Sequence, residues 1–117
     1  MSLAEIRFLQ KRLEEKYAEI GKVAGKYIEA GYTVNVKKIK TPKGVIDIVA
    51  KKSETYAIDV YKKTGPVPVS IVEEITQKAR TINAKPVLVL WGKGPKITQE
   101  VLKKAEELGV KIKRFSD

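Results

Sequence analysis

Cysteine and histidine are both absent from this chain of 117 residues. The first absence excludes a disulfide framework and thiolate chemistry. The second removes the commonest general base and the commonest zinc ligand. Any metal held here should therefore be hard and oxygen-ligated, which points to Mg2+ or Mn2+. No apolar run approaches the roughly 18 residues that a membrane span needs. The opening residues, Met1-Ser2-Leu3-Ala4-Glu5, lack the basic-then-apolar pattern of a signal peptide. A cytoplasmic protein with no membrane partner is expected. Methionine occurs once, and asparagine only at Asn35 and Asn83, a thermophile-like composition.

Positive charge is what the chain has in excess. Lys and Arg number 24 against 14 Asp and Glu, a formal net charge of +10. That is the electrostatic footprint of a nucleic-acid binder. A lysine-rich surface of the thermophile kind would give the same count, and charge does not separate DNA from RNA or from an acidic protein. An apolar share of 43% and a charged share of 32% fit a globular protein. The length suits one domain with its own core, residues 1–117, divided into a long N-terminal helix over 1–30 and a core over 31–117.

The element order is αβββαβαβ. Ile6, Leu9, Leu13, Tyr17, Ile20, Val23, Tyr27 and Ile28 recur at steps of three and four, which predicts a helix over residues 3–30 ending at Gly31. The interior Gly21 and Gly25 mark a kink or a close approach. The stripe is long enough that its first half could project and pair with a partner, a homodimer included; packing on the sheet is the plainer reading. Tyr32–Val36 alternates as a strand, and residues 37–44 read as a basic turn. Two further strands complete a meander. A helix capped by Ser70-Ile71-Val72-Glu73 runs to about Asn83. Pro86–Trp91 is a continuous apolar strand of the buried parallel kind. A helix capped near Thr98 runs to Leu108, and Val110–Lys113 is a short edge strand. Strands reached through helical crossovers after a meander imply an α/β sandwich with a mixed central sheet flanked by helices.

Two of these strands carry an acid where burial makes one costly. They are Gly44-Val45-Ile46-Asp47-Ile48-Val49-Ala50 and Tyr56-Ala57-Ile58-Asp59-Val60-Tyr61-Lys62-Lys63. On adjacent strands at matched register, Asp47 and Asp59 would stand about 5 Å apart and repel unless a cation or proton lay between them. A shared divalent ion facing a polyanion satisfies both demands. In the plainer alternative one Asp pairs with a lysine and the other caps a turn.

These runs resemble the PD-(D/E)xK nuclease superfamily, in particular the Mrr-type restriction endonucleases and the archaeal Holliday junction resolvases. The resemblance covers roughly residues 19–113, through Gly31-Tyr32-Thr33-Val34, the two acid strands, Val69–Ala79, Lys85–Trp91 and Leu108-Gly109-Val110-Lys111-Ile112. It implies a restriction-endonuclease-like fold and Mg2+- or Mn2+-dependent cleavage of DNA. By position, Asp47 matches the metal-binding Asp of the first motif strand. Asp59 matches the acid of the half motif, and Val60 would lend its carbonyl to the metal. The motif lysine, two places after that acid, falls on Tyr61, with Lys62 next to it. Strand side chains alternate, so Tyr61 shares a face with Asp59 and Lys62 does not. Lys62 would serve only if a bulge re-aims it, unless a lysine from a nearby strand or helix has moved in. The family's first-helix Glu would fall near Ile20, and the nearest acid is Glu19, about 100° off that face.

The phosphate candidates are Lys37, Lys38, Lys40, Lys43, Lys51, Lys52, Lys62 and Lys63 around the acid strands. Lys93 and Lys96 join them from the Gly-rich turn after Trp91. Each is equally readable as a solvated surface charge, and Trp91 as a core residue. Glu73, Glu74 and Gln77 lie on the helix after the motif, where contact with a scissile strand competes with capping and solvation. Nothing resembles a base-reading helix or a zinc finger. Three readings follow: a metal-dependent DNA endonuclease with a degraded lysine position, a catalytically silent nuclease-fold paralogue that binds nucleic acid or protein, and a structural protein with a charged surface.

Overall fold

The computed structural model describes residues 2–117. The expected N-terminal helix is two helices, α1 (Leu3–Tyr17) and α2 (Glu19–Glu29). They break at Ala18, whose backbone has φ 52° and ψ −123°. The glycines explain why the stripe folds back on itself. A Cβ on Gly21 would lie 2.0 Å from the Leu13 carbonyl oxygen, so only glycine lets the two helix backbones come this close. Gln10 Nε2 donates to the Gly25 carbonyl at 2.9 Å across the same contact. The burden of packing falls on α2, which buries Val23, Ala24, Tyr27 and Ile28, whereas α1 buries no residue.

β1 runs from Thr33 to Thr41, well past the expected end at Val36. The segment read as a basic turn is mostly strand. Val36 pairs with Ile48 and Ile39 with Ile46, so Lys37 and Lys38 together stand opposite Asp47 in a β-bulge. The actual turn is short, and Thr41 Oγ1 closes it by donating to the Gly44 carbonyl at 2.8 Å. β2 (Gly44–Lys51) and β3 (Thr55–Tyr61) continue the antiparallel meander. β4 (Gly65–Pro66) precedes α3 (Val69–Thr81). β5 (Lys85–Trp91), β6 (Pro95–Lys96), α4 (Gln99–Leu108) and β7 (Lys111–Phe115) complete the order.

The main sheet is ordered β1-β2-β3-β5-β7, with β3, β5 and β7 parallel. β4 and β6 form a small separate parallel pair, β6 falling in the segment expected to be a Gly-rich turn. α3 starts at Val69 with Pro68 as its N-cap and no side-chain cap, so Ser70 does not form the expected box. Proline's fixed φ and missing N–H suit a helix entrance and set the start earlier. α4 is capped as expected, Thr98 Oγ1 accepting from the Val101 N–H at 3.2 Å.

Two hydrophobic clusters sandwich the sheet. One, with α2, holds Val23, Val36, Ile48, Ile58, Val87 and Val89. The other, with α3 and α4, holds Ile46, Val49, Ile75, Leu88, Leu90 and Val101. β5 feeds alternate residues to both, as its unbroken apolar run requires. Gly21→Ala is expected to lose about 1–3 kcal/mol by forcing α1 away from α2. Denaturant unfolding should show this loss, with faster amide exchange across α1 than in the wild type.

Candidate active site

Asp47 and Asp59 face each other where the β2–β3 ladder stops. The last backbone pair is Ile48 with Ile58, and the next in that register is Asp47 with Asp59. There the side chains take over the work of the ladder. Asp59 Oδ1 accepts from the Asp47 N–H at 3.1 Å, and Asp47 Oδ2 accepts from the Val60 N–H at 2.8 Å. Residues two apart on a regular strand share a face, yet Ile46 packs in the α3-side cluster and Ile48 in the α2-side cluster. Asp47 thus sits where β2 turns over, opposite the bulge in β1.

The other two carboxylate oxygens carry ammoniums. Lys37 Nζ lies 3.3 Å from Asp47 Oδ1, and Lys78 Nζ donates to Asp59 Oδ2 at 2.9 Å. Lys78 also donates to the Val45 carbonyl at 3.1 Å. Both acids are therefore paired with lysine, and the four charges balance. The acid side chains are 15% and 16% exposed, so neither is open to bulk water. Burial pushes the Asp47 carboxyl above the usual range. The Val60 N–H works against that, the Asp59 charge adds to it, and Lys37 opposes it.

Lys78 was not among the residues singled out from sequence. It comes from α3, on the stripe that buries Val72, Ile75, Thr76 and Ala79. A lysine on the apolar side of an amphipathic helix was the available signal, since an unpaired ammonium is not buried without a partner. Gly44 lies beside it and is required by its backbone rather than by space. Its φ of 127° lies outside the range of L side chains, and a Cβ there would sit 3.5 Å from Lys78 Cε.

The remaining sequence candidates divide by place. Tyr61 is half-buried against the α3-side cluster, on the face of Asp59. Lys62 is exposed and reaches Glu19 Oε2 at 3.2 Å, tying the end of β3 to the start of α2. The α2 backbone N–H and Lys62 hold the Glu19 carboxyl below its usual range. Among the described residues no three acids are grouped to share a metal ion, so Glu19 does not join Asp47 and Asp59. Lys37 and Lys38 flank Asp47 on the bulge, and Lys40 and Lys43 follow toward the β1–β2 turn. Lys63, Lys93 and Lys96 lie beyond the ends of β3 and β5, at the same end of the parallel strands as Asp59. The β4–β6 pair joins those segments, Gly65 N–H donating to the Gly94 carbonyl at 3.0 Å. Arg114 holds the same turn, bonding the Gly92 and Pro95 carbonyls at 2.6 and 2.8 Å. Lys51 and Lys52 lie at the opposite end of the sheet. Lys51 pairs with Thr33 and Thr55, and Lys52 Nζ donates to the Ala30 carbonyl at 3.0 Å at the end of α2. Glu73, Glu74 and Gln77 are exposed on α3.

The donor set fits a hard cation. Two carboxylates are hard oxygen donors of the kind Mg2+ or Mn2+ takes, and here two ammoniums already balance their charge. Lys78→Met removes the ammonium but leaves Asp59 mostly buried. It should cost about 2–4 kcal/mol, and adding Asp59→Leu should recover part of that. A double-mutant cycle by thermal unfolding measures both.

No protein-family model matches the chain, and no curated protein matches it in sequence. Solved structures do match in shape. A repair endonuclease from Pyrococcus abyssi superposes with a TM-score of 0.64 at 14% identity, over 88% of this chain and 46% of that one. SfsA of Pyrococcus furiosus, in complex with Ca2+, gives 0.59 at 19% identity over 91% and 57%. EndoMS in a complex with dsDNA gives 0.58 at 13% identity over 94% and 44%. The chain thus spans about half the length of these neighbours. At such identities the fold is what is shared: a mixed central sheet flanked by helices, as in restriction-endonuclease-like structures and in keeping with the resemblance read from the two acid strands.

Proposed function

We propose that the chain binds DNA through its phosphate backbone and hydrolyses phosphodiesters with Mg2+ or Mn2+ at Asp47 and Asp59. The observation that carries this reading is the pair of carboxylates facing across the end of the β2–β3 ladder, with Lys78 fixed on one of them. Asp47 and Asp59 would hold the ion, with Val60 offering its carbonyl. Bound there, the ion would polarise a phosphoryl oxygen and acidify a water. Lys78 takes the role that the motif assigns to the residue at position 61: its ammonium would orient the attacking water and offset developing negative charge. Lys62, bonded to Glu19, is the less suited of the two lysines. The lysines at the acid end of the sheet would track the phosphates. The dsDNA complex of one structural neighbour and the Ca2+ complex of another are consistent with both halves of the proposal.

A silent, binding-only relative is the second reading. It is favoured by the pairing of every carboxylate oxygen and by the packing of Tyr61 on the core. Cleavage of branched and linear DNA, with and without Mg2+ or Mn2+, separates the two. On the nuclease reading, Asp47→Ala is dead, Lys78→Ala falls by about 10²–10³ in rate, and Lys62→Ala cuts as the wild type does. Loss on Lys62→Ala but not on Lys78→Ala would return the lysine role to β3. On the binding-only reading neither the wild type nor any variant cleaves, Tyr61→Lys included; cleavage gained by Tyr61→Lys alone would place the missing charge at position 61. DNA affinity should depend little on sequence, and log K should fall against log salt with a slope of roughly −4 to −5 if about five phosphates are neutralised. Absence of binding at low salt, or a flat salt response, rejects both DNA readings.

A further inference from the structure

Lys37 and Lys78 neutralise the same acid pair in unlike ways. Lys78 is 9% exposed, rises from a helix and makes two hydrogen bonds. Lys37 has a side chain 44% exposed and one contact here, at 3.3 Å. Its backbone has φ 56°, a conformation that strains a lysine but not a glycine. The bulge sets Lys37 and Lys38 opposite Asp47 alone, which is how bulges re-aim side chains. Asp47 Oδ2 is spent on the Val60 N–H, so Oδ1 is the oxygen left to a cation, and Lys37 holds it. An ammonium this exposed is weakly bound and free to move to a better anion.

We propose that Lys37 is an internal counter-ion that closes the metal position on Asp47, and that a DNA phosphate opens it by drawing the ammonium away. The inference rests on the metal site proposed above and concerns its regulation. Metal and DNA then bind cooperatively, each raising affinity for the other by the same factor. Lys78, held by the Val45 carbonyl as well as by Asp59, stays in place throughout.

Mn2+ titration by calorimetry tests this without any cleavage readout. Lys37→Gly and Lys37→Asn remove the ammonium with residues that accept a positive φ, so neither endangers the bulge. Both should bind Mn2+ about tenfold more tightly than the wild type. Lys38→Ala, losing the same charge from the same bulge, should change affinity much less. A short phosphorothioate DNA duplex, used to suppress turnover, should tighten Mn2+ binding to the wild type by about five- to tenfold and to the Lys37 variants far less. Equal gains for Lys37→Gly and Lys38→Ala would reduce the effect to general charge and overturn the proposal. So would equal tightening of wild type and Lys37 variants by DNA. Mn2+ uptake by Asp47→Asn equal to that of the wild type, or no uptake by any protein, would instead remove the metal site and the inference with it.

Discussion

Two carboxylates placed face to face between strands must be compensated, and much of the molecule serves that need. An ionised carboxylate out of water is costly unless it is paired and hydrogen-bonded. Here each acid receives one backbone N–H from the opposite strand and one ammonium from a neighbouring element. The N–H bonds replace ladder bonds that β2 and β3 no longer make to each other, so the strands remain joined where they would otherwise separate. The ammoniums come from either side: Lys37 from β1, at the sheet edge, and Lys78 from α3, across one face. The bulge in β1 and the turnover of β2 between Ile46 and Ile48 are the local irregularities that accompany them, and Gly44 supplies the positive φ at the start of β2.

The large positive charge serves more than one purpose. Sheet edges offer unpaired N–H and C=O groups, and lysines along them discourage a second chain from adding on. β1 carries Lys37, Lys38 and Lys40, and β7 carries Lys111, Lys113 and Arg114. Among the described residues five lysines lie over aromatic rings at 5.2–5.8 Å: Lys16 over Tyr17, Lys22 over Trp91, Lys26 over Phe115, Lys52 over Tyr32 and Lys113 over Tyr27. These contacts shield aromatic surface around α2 and the neighbouring strands. The lysines without such a partner are therefore fewer than the composition suggests, and Lys38, Lys40, Lys43, Lys63, Lys93 and Lys96 are the ones that lie toward the acid end of the sheet.

The element order, the mixed sheet and the pairing of Asp47 with Asp59 were legible because each rests on a periodic or local signal. The apolar run of β5, the alternation in β3 and the Thr98 cap are of that kind. What was hidden depends on contacts between segments. Lys37 reads as part of a turn until its pairing with β2 shows a bulge. The break at Ala18 interrupts a stripe that is continuous in sequence, because two glycines allow the helices to touch. The β4–β6 pair is too short to have a pattern of its own. Lys51 and Lys52 look equivalent to Lys62 and Lys63 along the chain, but a strand of β3's length lies between them.

Lys78 illustrates why a strand-borne acid is easier to find from sequence than the charge that accompanies it. An acid that must face another across two strands is tied to those strands by register, so its position is fixed along the chain. An ammonium needs only to reach the same point in space, and a lysine side chain can do so from several backbone positions. On β3 the alternation would demand position 61, where the tyrosine ring extends the α3-side core instead. From α3, a turn of helix already packed on that core brings Lys78 over Asp59 without disturbing the strand. Its Val45 bond then anchors the ammonium to β2 as well, so one side chain joins the helix to both acid-bearing strands. The arrangement is a structural tie whether or not a metal is bound, and on the proposed reading the stability of the site and its chemistry draw on the same lysine.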